Sequence, residues 1–157
     1  TTRVDMIQLF TLLKQLLKGD LEIDVEKGSF AYKGVRIVAL PVEAVANSLH
    51  EVAALFGEAA PILLERIGEG VGSAVMHSMG WRDGSDTIKE LPNLAKAGGF
   101  GRVVFKDGVL QIDNLPLSLE DEALMAYMRG FMRGLCIELH DVERSGNSIK
   151  AKFKIIC

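Results

Sequence analysis

Apolar residues recur along this chain with two periods, and the changes between them mark out its elements. In residues 4–18, "VDMIQLFTLLKQLLK", Met6, Leu9, Leu13 and Leu16 share one helical face, Phe10 and Leu17 flank it, and Gly19 ends it. So wide a stripe suits docking against a second chain or burial in the core. From Leu21 the period falls to two. Leu21, Ile23 and Val25 alternate with charges, Lys27-Gly28 and Lys33-Gly34 punctuate, and Val35 and Ile37 resume the alternation. Short antiparallel strands are predicted there. Pro41 opens a helix bearing Val42, Val45, Leu49 and Val52 that closes near Gly57, and Pro61 stands at the start of the next helix.

Further along, Ser85 or Asp86 can cap a short helical turn, Pro92 restarts one, and "AGGFG" ends it. In residues 101–114, "GRVVFKDGVLQIDN", two strands flank Asp107-Gly108, a pair suited to the positive φ angles of a two-residue turn. Ser118 with Asp121 forms a capping box before a long helical pattern, "LEDEALMAYMRGFMRGLCIEL". In the closing "SIKAKFKI", Ile149, Ala151, Phe153 and Ile155 face one way and Lys150, Lys152 and Lys154 the other. Helices and hairpins are segregated, so the expected fold is α+β, an antiparallel sheet of hairpins packed against central helices. No repeat or linker interrupts the chain. Residues 1–157 are expected to form a single domain, with an N-terminal helix over 1–20 and a core over 21–157.

The helix after Pro61 contains "RIGEGVGSAVMHSMGW", where Gly68, Gly70 and Gly72 resemble a phosphate-cradling run. Such a loop needs a strand before it and a helix after it, so that backbone N–H groups converge on the anion. Here Leu64, Ile67, Val71 and Val75 form one helical stripe running through the glycines, and no Lys-Ser or Lys-Thr follows. Packing is the better reading. Gly68 and Gly72 are four apart and leave one helix face bare, at about 1 kcal/mol each relative to Ala. The later helix repeats the device with Gly130 and Gly134. Two bare faces suit a tight helix crossing.

Composition narrows the class. A 157-residue chain that is 48% hydrophobic and 25% charged suits a globular domain. A net charge of −3 argues against nucleic acid as the direct partner. No apolar run is long enough for a membrane span, and the start "TTRVDMIQLF" lacks the pattern of a signal peptide. It also lacks an initiator Met, which implies a processed or trimmed chain. A cytoplasmic location is expected. Cys136 in the helical pattern and Cys157 are expected not to make a disulfide framework, with Cys136 buried and inert.

Candidate chemistry is sparse. His50, His77 and His140 show no metal-ligand spacing, and no serine, cysteine or lysine has a recognisable base partner. No catalytic constellation emerges, so catalysis is not expected. His77 and Trp81 are four apart and share a side if the helix continues past Gly80. They could give an apolar pocket a hydrogen-bonding handle, or His77 could be an exposed or satisfied polar group. Tyr127, Met128, Phe131, Met132 and Leu135 cover a broad helix face that suits either a pocket lining or plain core. Arg129 and Arg133 share the opposite face as solvated charges, or as partners for a ligand carboxylate.

At "YMRGFMRGL", residues 127–135, the sequence resembles the 4-vinyl reductase-type domain. That small-ligand-binding fold is shared distantly with TRAPP vesicle-tethering subunits and heme-based nitric-oxide sensor domains. The likeness runs over roughly residues 30–156 through motifs in order: "KGVRIVAL", "LLERIGEGVGSAV", "AGGFGRVVF", the Arg-Gly-Phe helix, and a hairpin ending "AKFKI". The resemblance implies a ligand-binding module, often dimeric, with an apolar pocket between the central helices for a small hydrophobic or aromatic molecule. It implies a sensor or carrier, with an assembly module or an accessory protein of tetrapyrrole metabolism as alternatives. Several members bind zinc through a Cys-containing terminal hairpin. Here Glu143 and Ala151 stand where those cysteines would fall, so no zinc and no other cofactor is expected.

Overall fold

The computed structural model describes Lys14, residues 18–116 and residues 122–157. The N-terminal helical pattern, apart from Lys14 and Lys18, and the Ser118–Asp121 box lie outside these residues. The chain divides into two compact units, Thr1–Leu40 and Pro41–Cys157.

In the first unit, β1 (Leu21–Asp24), β2 (Ser29–Tyr32) and β3 (Val35–Ile37) form an antiparallel sheet in that order. Lys33 and Gly34 carry positive φ angles of 49° and 78°, which lets a two-residue turn return the chain with Tyr32 opposite Val35.

The second unit holds α1 (Val42–Phe56), a short 3-10 turn, α2 (Ala60–Ser78), α3 (Gly84–Gly98), β4 (Arg102–Lys106), β5 (Val109–Asp113), α4 (Glu122–Gly134), β6 (Ile137–Ser145) and β7 (Ser148–Ile155). Its sheet is antiparallel throughout, in the order β4-β5-β7-β6. The fold is therefore α+β, antiparallel sheets with central helices. Asp107 and Gly108 take φ angles of 51° and 75° and close the β4–β5 hairpin. Period-two alternation sends Leu110, Ile112, Ile149 and Ala151 into the core, while Gln111, Lys150 and Lys152 stay exposed. The helices supply Leu49, Leu64, Leu91, Leu124, Met125 and Met132 to the same core. Phe105 and Phe153, half-buried, meet edge to face against it, with centroids 5.1 Å apart.

Four expectations are corrected. Pro92 does not restart a helix; it lies inside one continuous helix, α3. An interior proline removes a backbone hydrogen bond and costs about 3 kcal/mol, but Thr87, Leu91 and Ala95 are buried along one face and hold the turn together. The cap is Asp83, whose side chain accepts from the Ser85 and Asp86 amides, rather than either of those residues. The last long helix stops at Gly134, and Cys136 takes a left-handed φ of 66° before Ile137 opens β6. Finally, Cys136 and Cys157 are joined as a disulfide. The β6–β7 register pairs Ile137 with Ile155, which brings the residues just beyond them to a Cα separation of 5.2 Å.

Candidate functional site

The site grows out of the crossing of α2 and α4. A Cβ at Gly68 would overlap the Tyr127 carbonyl oxygen, and one at Gly72 the Phe131 carbonyl oxygen. From the other side, Gly130 faces the Glu65 carbonyl and Gly134 the Glu69 carbonyl. The obstacles are backbone atoms, so the two helices touch main chain to main chain. A ligand has no room between the bare faces. Gly70, by contrast, is exposed and has nothing within 4 Å of an added Cβ.

Open space begins where α2 ends. The Gly80 amide donates to the His77 carbonyl and the Trp81 amide to the Met76 carbonyl, with Gly80 at a φ of 68°. This left-handed cap ends the helix at Ser78 and folds Trp81 back toward it. His77 and Trp81 thus line one cleft of about 450 Å³, although the helix does not continue past Gly80. Trp81, Met76 and Ile156 give the cleft apolar surface, Ser73, Glu69 and Arg133 give it polar groups, and the Cys136–Cys157 disulfide forms part of its wall. Arg133 is anchored by its Nη1, which lies 2.6 Å from Glu65 Oε1.

The other four pocket candidates lie elsewhere. Met132 is buried in the core, and Tyr127, Met128 and Phe131 are half-buried and packed against it. Burial raises the pKa of the Tyr127 phenol, so it stays neutral and able to donate a hydrogen bond. Arg129 reaches Glu122 at 2.8 Å, away from the cleft.

Sequence reasoning did not single out Ser73, Met76, Ile156 or Cys157 as site residues. Ser73 and Met76 belong to the helical turn that precedes His77, which was a usable signal. Nothing local announces Ile156 and Cys157, because the sheet brings them there.

A second recess, of about 370 Å³, lies on the hairpins between Gln111, Asp113, Glu143 and Lys150. Gln111 donates to both Asp113 carboxylate oxygens, at 3.1 and 3.0 Å. Among the described residues, no three His, Cys, Asp or Glu side chains converge as a metal site. No helix among them is long and apolar enough to cross a membrane.

No protein-family model matches the chain, and no curated protein matches its sequence. Among solved structures, it is similar to the phenol-responsive sensory domain of the transcription activator PoxR, crystallised with phenol. The two share 15% identity at a TM-score of 0.54, and the match covers 97% of this chain and 91% of that one. The likeness is one of fold.

Proposed function

We propose that residues 1–157 act as one non-catalytic sensory module that binds a small aromatic molecule in the cleft beside His77 and Trp81. The observation that carries the reading is that cleft: it sets one imidazole and one indole around a recess of mixed apolar and polar lining, open to solvent. Its volume falls within the usual range for small-molecule sites, roughly 300–1,000 Å³. The indole and Met76 would contact the ring face, while His77 or Ser73 would meet a hydroxyl or carboxylate on its edge. The fold likeness to a phenol-responsive domain, which covers 97% of this chain, supports an aromatic ligand.

Trp81 is the only tryptophan in the chain, so its fluorescence reports directly on this site. Phenol and benzoate should quench it saturably at one ligand per chain. His77→Ala should weaken binding by about three- to tenfold, the worth of one hydrogen bond. Neither quenching nor calorimetric heat with either compound would refute the reading.

A second reading, an assembly module that pairs with another copy of the chain, is favoured by the exposed Leu55, Phe56, Ile62, Ile67 and Val71 on α1 and α2. Sedimentation of the chain and of Val71→Asp decides it: a dimer lost in the variant supports pairing through the surface around Ile67 and Val71.

A further inference from the structure

Three sulfur atoms meet at the wall of the cleft. The Met76 thioether Sδ lies 3.6 Å from Cys136 Sγ, which is bonded to Cys157 Sγ. Cys136 is 5% exposed, whereas Cys157 is exposed, and both line the cleft with Met76. We propose that reduction of this disulfide converts the cluster into a binding site for a soft monovalent cation, copper(I), held by two thiolates and one thioether.

The chemistry starts with a dithiol reductant. One of its thiolates attacks the exposed Cys157 Sγ, the Sγ–Sγ bond breaks, and Cys136 leaves as a thiolate that takes up a proton. The reductant's second thiolate then closes on the first sulfur and releases Cys157. The reductant ends as a disulfide and the protein as two thiols. Copper(I) displaces both thiol protons and gains two anionic sulfurs and one neutral sulfur, so the bound site carries a net charge of −1.

Donor type selects the metal. Thiolate and thioether sulfur favour copper(I) over hard cations, and three donors without a nitrogen suit it better than zinc, which takes four. The geometry is close to what is needed. Sulfurs about 2.3 Å from a central ion in a trigonal plane sit about 4.0 Å apart (2.3 × √3). The Met76–Cys136 pair is already at 3.6 Å. Cys157 is exposed, so its freed Sγ has room to swing away from its bonded position. The backbone on either side is held independently of the disulfide. The Ile156 amide donates to the Cys136 carbonyl at 3.0 Å, and the Gly84 amide donates to the Cys157 carbonyl at 3.1 Å. These bonds keep the two thiols near each other after reduction, and the cleft supplies the entry path.

The test uses the whole chain, reduced with dithiothreitol, desalted without oxygen and titrated with copper(I) against the coloured chelator bicinchoninate. The reduced protein should withdraw one copper(I) per chain, and the oxidised protein none. Met76→Leu, which keeps side-chain volume and folding, should weaken binding by roughly tenfold or more. Cys157→Ser should abolish competition with the chelator. X-ray absorption should show sulfur scatterers only, at about 2.3 Å. The assignment is overturned if the disulfide resists reduction in the folded protein, if oxidised protein competes equally well, or if Met76→Leu binds like the parent. Phenol plays no part in the assay, so its outcome is independent of the ligand proposal.

Discussion

Replacing Gly130 with alanine sets two effects of opposite sign against each other. Helix propensity alone favours alanine by about 1 kcal/mol. The added Cβ, however, would overlap the Glu65 carbonyl oxygen and lie 2.7 Å from its carbonyl carbon and 3.0 Å from its Cα. All are backbone atoms of α2, so no side-chain rotation relieves them. Restoring the carbonyl carbon alone from 2.7 Å to ordinary contact requires α2 and α4 to part locally by at least about 0.7 Å, and the overlapping oxygen requires more. Overpacking of this kind costs about 1–3 kcal/mol, and rigid backbone on both sides places Gly130→Ala toward the upper end. Gly70→Ala is the internal control: same helix as the facing glycines, exposed, and with nothing within 4 Å. It should gain about 0.5–1 kcal/mol. For a chain of this size each kcal/mol moves the Tm by about 2–4 °C. Gly130→Ala should therefore melt several degrees below the parent and Gly70→Ala slightly above it, followed by far-UV circular dichroism and Trp81 fluorescence. A Gly130→Ala protein that melts at or above the parent temperature would refute the backbone-contact argument.

Two further outcomes follow from single interactions. The Thr87 hydroxyl, fully buried, donates to the Leu135 carbonyl at 2.7 Å and ties α3 to the residue after α4. Thr87→Val keeps the shape but strands that carbonyl, and urea denaturation should show a loss of about 1–3 kcal/mol with an unchanged m-value; an unaffected midpoint would mean that another donor serves Leu135. The Glu122 carboxyl is held below its ordinary value of 4.5, first by the hydrogen bond from Arg129 and then by the charges of Arg129 and Arg144. A pKa depressed by folding contributes stability that is complete above the unfolded value and is lost as pH falls through the folded one. The parent should thus exceed Glu122→Gln by less than about 1 kcal/mol near neutrality, given the exposure of the pair, and the gap should close in acid. A gap that widens on acidification would show the sign to be wrong.

The elements themselves were legible because their signals are local. Pro41 and Gly57 bracket α1, Pro61 stands in the first turn of α2, and Asp107-Gly108 turns one hairpin, each through φ preferences that act within a few residues. The helix spacing of Gly68 with Gly72, and of Gly130 with Gly134, is likewise local, fixed by a period of 3.6. Local signals misled where burial outweighed them. Pro92 reads as a helix start, yet it sits inside a helix kept whole by the buried Thr87, Leu91 and Ala95.

By itself, then, the sequence determined the fold class, most of its turns and the bare faces of two helices. Tertiary structure alone decided what those faces meet, that Trp81 returns to His77 through a left-handed cap, and that Cys136 and Cys157 are neighbours. The physical reason is range. A period or a turn is set by the steric preferences of adjacent residues, whereas the strand register and helix crossing that gather the cleft depend on the packing of segments far apart in the chain.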